Sequence, residues 1–245
     1  MSNWTSSSVQ PLSSTISLTL YTAYSTPLAW EMVVKSFTDE QLNFFKFSTL
    51  VVDEFPKALR QTFKYMWENV GPGSNWDDSE GVRNSFLTKE GGKTKVPTYK
   101  SYEEWDCTAL FQATIYAQTF ALPDSKGKLT TLSELYVKPR PITHGSFHTS
   151  VVSPSGNKAE TFALAIDQLR LLRNSFCHST SSTMDKKLFD YYVKLAKDAF
   201  KALGVSTDSI DAVGNMPESH FPTEEVARLT QKLKIIVMRS RVYFG

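Results

Sequence analysis

The chain has 245 residues, 41% of them hydrophobic and 21% charged, close to the globular average and enough to bury one substantial core. Lysine and arginine number 27 against 25 acids, a formal net charge of +2, which gives no overall basic field for nucleic acid or an anionic membrane. Two cysteines, Cys107 and Cys177, exclude a disulfide framework, and the expected compartment is the reducing cytoplasm.

The first thirty residues carry no charge; Glu31 is the first. They lack the basic start of a secretory leader, and Ser and Thr interrupt every apolar run. The best apolar window, Ile16 to Leu28, falls short of the about 20 apolar residues a membrane span needs, so no membrane association is expected. Residues 1–35 read as a weakly structured N-terminal tail. A short strand is foreseen only where Ile16, Leu18 and Leu20 alternate with polar residues.

The body reads as helix after helix. Thr38-Asp39-Glu40-Gln41 is a capping box, followed by Leu42, Phe45, Val52, Phe55, Leu59, Phe63 and Met66 at mostly helical spacing. Pro56 inside this run predicts a kink or a break into two helices. Gly71-Pro72-Gly73 ends the unit, and Asp77 or Asp78 opens a short helix stopped by Gly91-Gly92. A second capping box, Ser101-Tyr102-Glu103-Glu104, starts a helix expected to reach Leu122-Pro123. The stretch 123–157 holds four prolines and three glycines; it reads as a long connection with one helical turn around Leu132 to Val137, of a length usually functional or mobile. Asn157 caps a helix over 158–178, and Thr183 caps another that Gly204 stops. A short helix over 207–213 and one from Thr223 to about Arg239 follow. The class is all-α, with a helical domain over 36–205 and a C-terminal helical extension over 206–245.

Ala159 to His178 carries the signal. At about 100° per residue, Phe162, Ala165, Ile166, Leu169, Leu172 and Phe176 form a core stripe. Leu164 and Leu171 lie nearly opposite, so the helix is covered on two sides, by another helix of the chain or by a second protomer. Between them runs a polar strip of Asp167, Arg170, Asn174 and His178, the last three spaced four apart. Arg173 falls on the core arc. It either pairs with an acid such as Asp106 or Glu104, or stands at a cleft edge to meet a phosphate. His178 reads from position alone as a helix C-cap. Cys177 beside it reads as a small packed residue, because adjacent helical side chains diverge.

The string Arg173-Asn174-Ser175-Phe176-Cys177-His178 resembles the signature of HEPN (higher eukaryotes and prokaryotes nucleotide-binding) domains: an Arg, a polar residue, three variable residues and a His near a helix end. Leu42-Asn43-Phe44 through Ala58-Leu59-Arg60, Asp106 to Phe111, Ala165 to Arg170 and Phe189-Asp190-Tyr191-Tyr192 extend the likeness to the HEPN domain of the DAZ-interacting zinc-finger ubiquitin-ligase type. The likeness covers about residues 36–205; the cysteines and histidines of a RING are lacking, so ligase activity is not carried over.

The resemblance implies a helical bundle that dimerises, with the motifs of two protomers meeting in a cleft, Leu164 and Leu171 at the two-fold interface, and RNA as partner. It implies a metal-independent endoribonuclease without cofactor. The 2′-hydroxyl attacks the adjacent phosphate, and a 2′,3′-cyclic phosphate results. His178 is then the acid or base, Arg173 the transition-state stabiliser, Asn174 an orienting group and Arg170 a backbone contact. The alternative is a non-catalytic RNA-binding or dimerisation module, joined in longer chains to signalling or innate-immunity domains. Lys187, Lys194 and Lys201 recur every seven residues, as a solvated face or as a phosphate-tracking strip. Residues 228–241 hold five basic residues and no acid, which suits an RNA contact, a linker helix or a plain basic end. His144 and His148 have a zinc-compatible spacing but no third ligand nearby, so no metal is expected. Arg83-Asn84-Ser85-Phe86-Leu87 echoes the motif without its histidine and reads as structural.

Overall fold

A computed structural model describes residues 37–140, 142–143, 145–179, 181–221, 229 and 232. The segment 1–35, with its expected strand, lies outside the described residues. So does the helix expected from Thr223 to about Arg239, except Leu229 and Lys232. The described chain is all-α: seven α-helices joined by short 3-10 and π turns, with one two-stranded hairpin.

Helix α1 spans Asp39–Thr49, opened by the Thr38 and Gln41 capping box. Pro56 breaks the run as its chemistry requires. Its ring collides with the carbonyl four residues back, and it has no N–H to donate. The chain responds with a π turn over Leu50–Glu54, where the Phe55 N–H reaches back five residues to the Leu50 carbonyl. Helix α2, Phe55–Asn69, then carries the proline in its first turn, where its N–H is not missed.

Helix α3, Glu80–Lys89, is capped by Ser79 rather than by either aspartate. Asp78 takes a left-handed φ of 57°, which a short polar side chain tolerates. Its carboxylate accepts hydrogen bonds from Ser101 Oγ and the Tyr102 N–H, and Arg83 donates to its carbonyl and to Thr98. The Arg83-Asn84 echo is thus a structural anchor. The second capping box makes only a 3-10 turn over Tyr102–Glu104. The helix behind it is α4, Cys107–Ala113, capped by Asp106 and far shorter than expected. Buried Thr114 ends it, its hydroxyl turned back onto the Leu110 carbonyl at 2.7 Å. Around Phe63 gather Trp67, Trp76, Phe86, Trp105 and Phe120, all buried, as one aromatic knot.

The long connection is not slack. Leu122–Pro123 (β1) pairs antiparallel with Leu129–Thr130 (β2), and Ser133–Val137 forms a π turn. Described residues further on, among them Arg140, His148 and Ser153, form a strap that bonds to helix α5, Lys158–Cys177. Glu160, in the first turn of α5, takes Arg140 and Ser153 from this strap.

Asn157 caps α5 by accepting from the Glu160 N–H. Asn157→Ala should cost about 1 kcal/mol, read as a lower urea midpoint at unchanged slope. Helix α6, Lys186–Leu203, is capped by Asp185 rather than Thr183 and ends on left-handed Gly204. Helices α5 and α6 pack together and α1 packs on α6, joined where Phe47 meets Phe176 and Tyr192. Of the expected extension over 206–245, the described residues 206–221 pack on the helical body. Helix α7, Asp208–Gly214, buries Ile210 and Val213 in the common core, and Lys46 Nζ donates to the Gly214 carbonyl at 2.9 Å. No helix among the described residues is long and apolar enough to cross a membrane.

Candidate functional site

The C-terminal half of α5 forms one wall of an open groove of about 890 Å³. The groove also takes the start of α6, the linker behind His178, the strap residues Ile142, Thr143, Gly145 and Ser146, and Phe44 of α1. Arg170 and Asn174 of α5 and His178 at its C-cap line it on successive turns, with Ser175 beside Asn174; its apolar surface includes Leu171, Met184, Leu188 and Tyr192. The linker is pinned from outside, because the Met184 N–H donates to the Glu40 carbonyl and Asn43 Nδ2 donates to the Met184 carbonyl. The four-residue spacing foreseen for these three polar residues is what brings them to one face.

Arg173 departs from the expected role. It is 2% exposed and is not part of the groove lining. Its Nη2 donates to Thr108 Oγ1 at 3.0 Å and its Nη1 to Asn174 Oδ1 at 2.8 Å. A guanidinium turned inward toward α4 does not meet a phosphate in the groove, which corrects its expected place as transition-state stabiliser: it is an internal contact between α5 and α4. The second hydrogen bond has a consequence. With Oδ1 of Asn174 occupied by a donor, the amide nitrogen is left for other partners. His178 is exposed at the C-cap of α5.

Leu164 is fully buried within its own chain, so it has no surface left for a two-fold interface. Helix α6, α4 and the 133–137 turn all pack on α5, and the second cover of α5 is supplied by the chain itself. Leu171, by contrast, is half-buried and faces the groove.

Lys187, Lys194 and Lys201 are exposed on α6 and none of them lines the groove. Lys194 sits 3.4 Å from Asp198, and Lys186 and Lys197 pair with Asp190 and Asp211, which dilutes the strip as a phosphate track. In the basic stretch 228–241, Lys232 reaches Asp53 at 3.4 Å; its other basic residues lie outside the described residues.

Sequence reasoning missed a buried cluster behind the groove. His148 Nε2 lies 2.8 Å from Asp167 Oδ2, and Arg170 Nε donates to Asp167 Oδ1 at 2.6 Å. The His148 N–H donates to Gln168 Oε1 at 3.0 Å. Burial pushes the Asp167 carboxyl up, but the His148 hydrogen bond and the Arg170 guanidinium outweigh it and hold the group below its ordinary value. Burial likewise works against the Arg170 charge, and the Asp167 carboxylate more than offsets it. The Asp167–Arg170 spacing of three was legible as a helix-face pair. The histidine was not, because its partner lies on another element.

His148 therefore faces a carboxylate in the interior, and His144 lies outside the described residues. Among the described residues no group of three or more His, Cys, Asp or Glu is arranged to hold a metal ion. Burial pushes the Cys177 thiol up to about 11, with Arg173 acting in the opposite direction, so it is a poor nucleophile near neutral pH. No family model, curated protein or solved structure matches the chain.

Proposed function

We propose that the chain is an RNA-directed module of HEPN type, a metal-independent endoribonuclease that leaves 2′,3′-cyclic phosphate ends and works as a homodimer. The observation that carries this reading is the row of Arg170, Asn174 and His178 along one wall of an open groove. In the reaction the 2′-oxygen bonds to phosphorus, the bond to the 5′-oxygen breaks, and a proton moves from the first to the second. The exposed imidazole of His178 is the acid or base for that transfer. The amide nitrogen of Asn174, one turn before His178, is the groove donor nearest the charge that develops on the phosphate oxygens, and Arg170 holds the RNA backbone further along the groove. Arg173 acts through Asn174 and not on the substrate.

Burial of Arg173 favours the second reading, a module that binds RNA without cutting it, because the arginine of the motif is spent on internal contacts. Incubating the purified chain with end-labelled single-stranded RNA in excess EDTA separates the two. The expected result is cleavage with cyclic phosphate ends. Retention of intact RNA supports the binding module, and neither binding nor cleavage removes both readings.

A further inference from the structure

Arg170 stands eight residues before His178 on α5, which at about 1.5 Å per residue separates them by about 12 Å along the axis. Asn174 lies midway, so the groove carries three polar rungs about 6 Å apart, comparable to the step between neighbouring phosphates of an extended strand. The first rung differs from the others in how it is held. A guanidinium has five N–H donors; Asp167 takes the Nε donor of Arg170, and the four Nη donors remain. Asp167 is itself fixed by His148, and these two are only 1% and 8% exposed. A planar fork anchored along one edge presents its other edge in a set orientation, which suits the paired oxygens of a phosphate. The strap that carries His148 also brings the hydroxyls of Thr143 and Ser146, 2.6 Å apart, into the groove lining.

We propose that Arg170 is a flanking phosphate subsite, two phosphates away from the one on which His178 acts, and that Asp167 and His148 are its positioning residues. The proposal rests on the RNA reading above. It makes the groove a reader of strand length: ligands with three consecutive phosphodiesters reach all three rungs, and a ligand with one does not reach Arg170 while it engages His178.

The probes are fluorescein-labelled 2′-O-methyl oligonucleotides with one, two or three phosphodiesters, which bind but have no 2′-hydroxyl to react. The three-phosphodiester ligand should bind about tenfold more tightly than the one-phosphodiester ligand. Arg170→Gln should erase that gain and leave the shortest ligand unchanged. His148→Ala should do the same, and His148→Gln, which restores an N–H near the position of Nε2, should recover the gain. His148→Gln and Arg170→Gln keep the test decisive if His148→Ala does not fold. A loss of equal size at every length, or no loss, overturns the subsite. If the wild type binds no oligonucleotide, the RNA reading falls, and titration with inorganic phosphate decides the subsite alone. A shift of the Arg170 Nε–Hε resonance that vanishes in His148→Ala or weakens in Asp167→Asn upholds it; an unmoved resonance ends it.

Discussion

His178→Ala should lower the rate of RNA cleavage in EDTA by roughly 10²- to 10⁴-fold, the usual worth of a positioned acid or base. The same variant should melt within a degree or two of the wild type. His178 is the exposed C-cap of α5, and an exposed side chain usually changes stability by no more than about 0.5 kcal/mol when the cap's backbone contact is kept. Its own contribution to the helix end is a backbone N–H donated to the Asn174 carbonyl at 3.0 Å, which alanine keeps. Rate and stability are therefore separable at this residue, as they are not at Arg173, where truncation removes contacts with Thr108 and Asn174 in the interior. Initial rates on labelled RNA, with melting curves of the same preparations, make the comparison. Cleavage by His178→Ala at the wild-type rate would remove the imidazole from the chemistry.

Asp167→Ala should be among the most destabilising polar substitutions, at about 3–5 kcal/mol, because it leaves buried charge without its partner. The carboxylate is 1% exposed and holds Arg170 on one oxygen and His148 on the other. Asp167→Asn should fall between wild type and alanine, since an amide oxygen still accepts from Arg170. The pH dependence follows from the direction of the shift. The folded-state value lies below the ordinary 3.8, so the stabilisation is fully present above that value and is lost as pH falls through the folded-state value. Urea midpoints of wild type and Asp167→Asn should therefore differ by a constant amount near neutrality and converge only below pH 3.8. A difference that disappears between pH 5 and 8 would place its origin in another group.

Local rules were readable where the chain carried its own instructions. The Thr38 and Gln41 box, Asn157 and Gly204 mark helix ends in the sequence and in the fold alike, because a cap is a contact between residues three or four apart. The pair Asp106 and Ser101 shows the limit of that logic. Either can cap, and the chain uses both: Ser101 for a single 3-10 turn, Asp106 for α4. Which of two competing caps begins the longer helix depends on Trp105, whose burial in the aromatic knot turns the chain between them. Pro56 was legible as a break, but the π turn that answers it was not.

The periodicity of Arg170, Asn174 and His178 is a property of the sequence, and any helix would align them on one face. Whether that face is open is a property of the tertiary structure. The strap residues Ile142, Thr143, Gly145 and Ser146, the linker behind His178 and α6 leave a groove there, while the same packing closes over Leu164 and Arg173. A wheel assigns angles around an axis; it holds no information about what lies at each angle. The sequence by itself therefore determined the all-α class, most helix ends and the alignment of three polar side chains. Only the tertiary structure decided that Arg173 turns inward to Thr108, that Leu164 is covered by its own chain, and that His148 comes from the strap to fix Asp167. Those outcomes depend on contacts between residues 19 to 65 positions apart, where burial and charge pairing act across elements rather than along one.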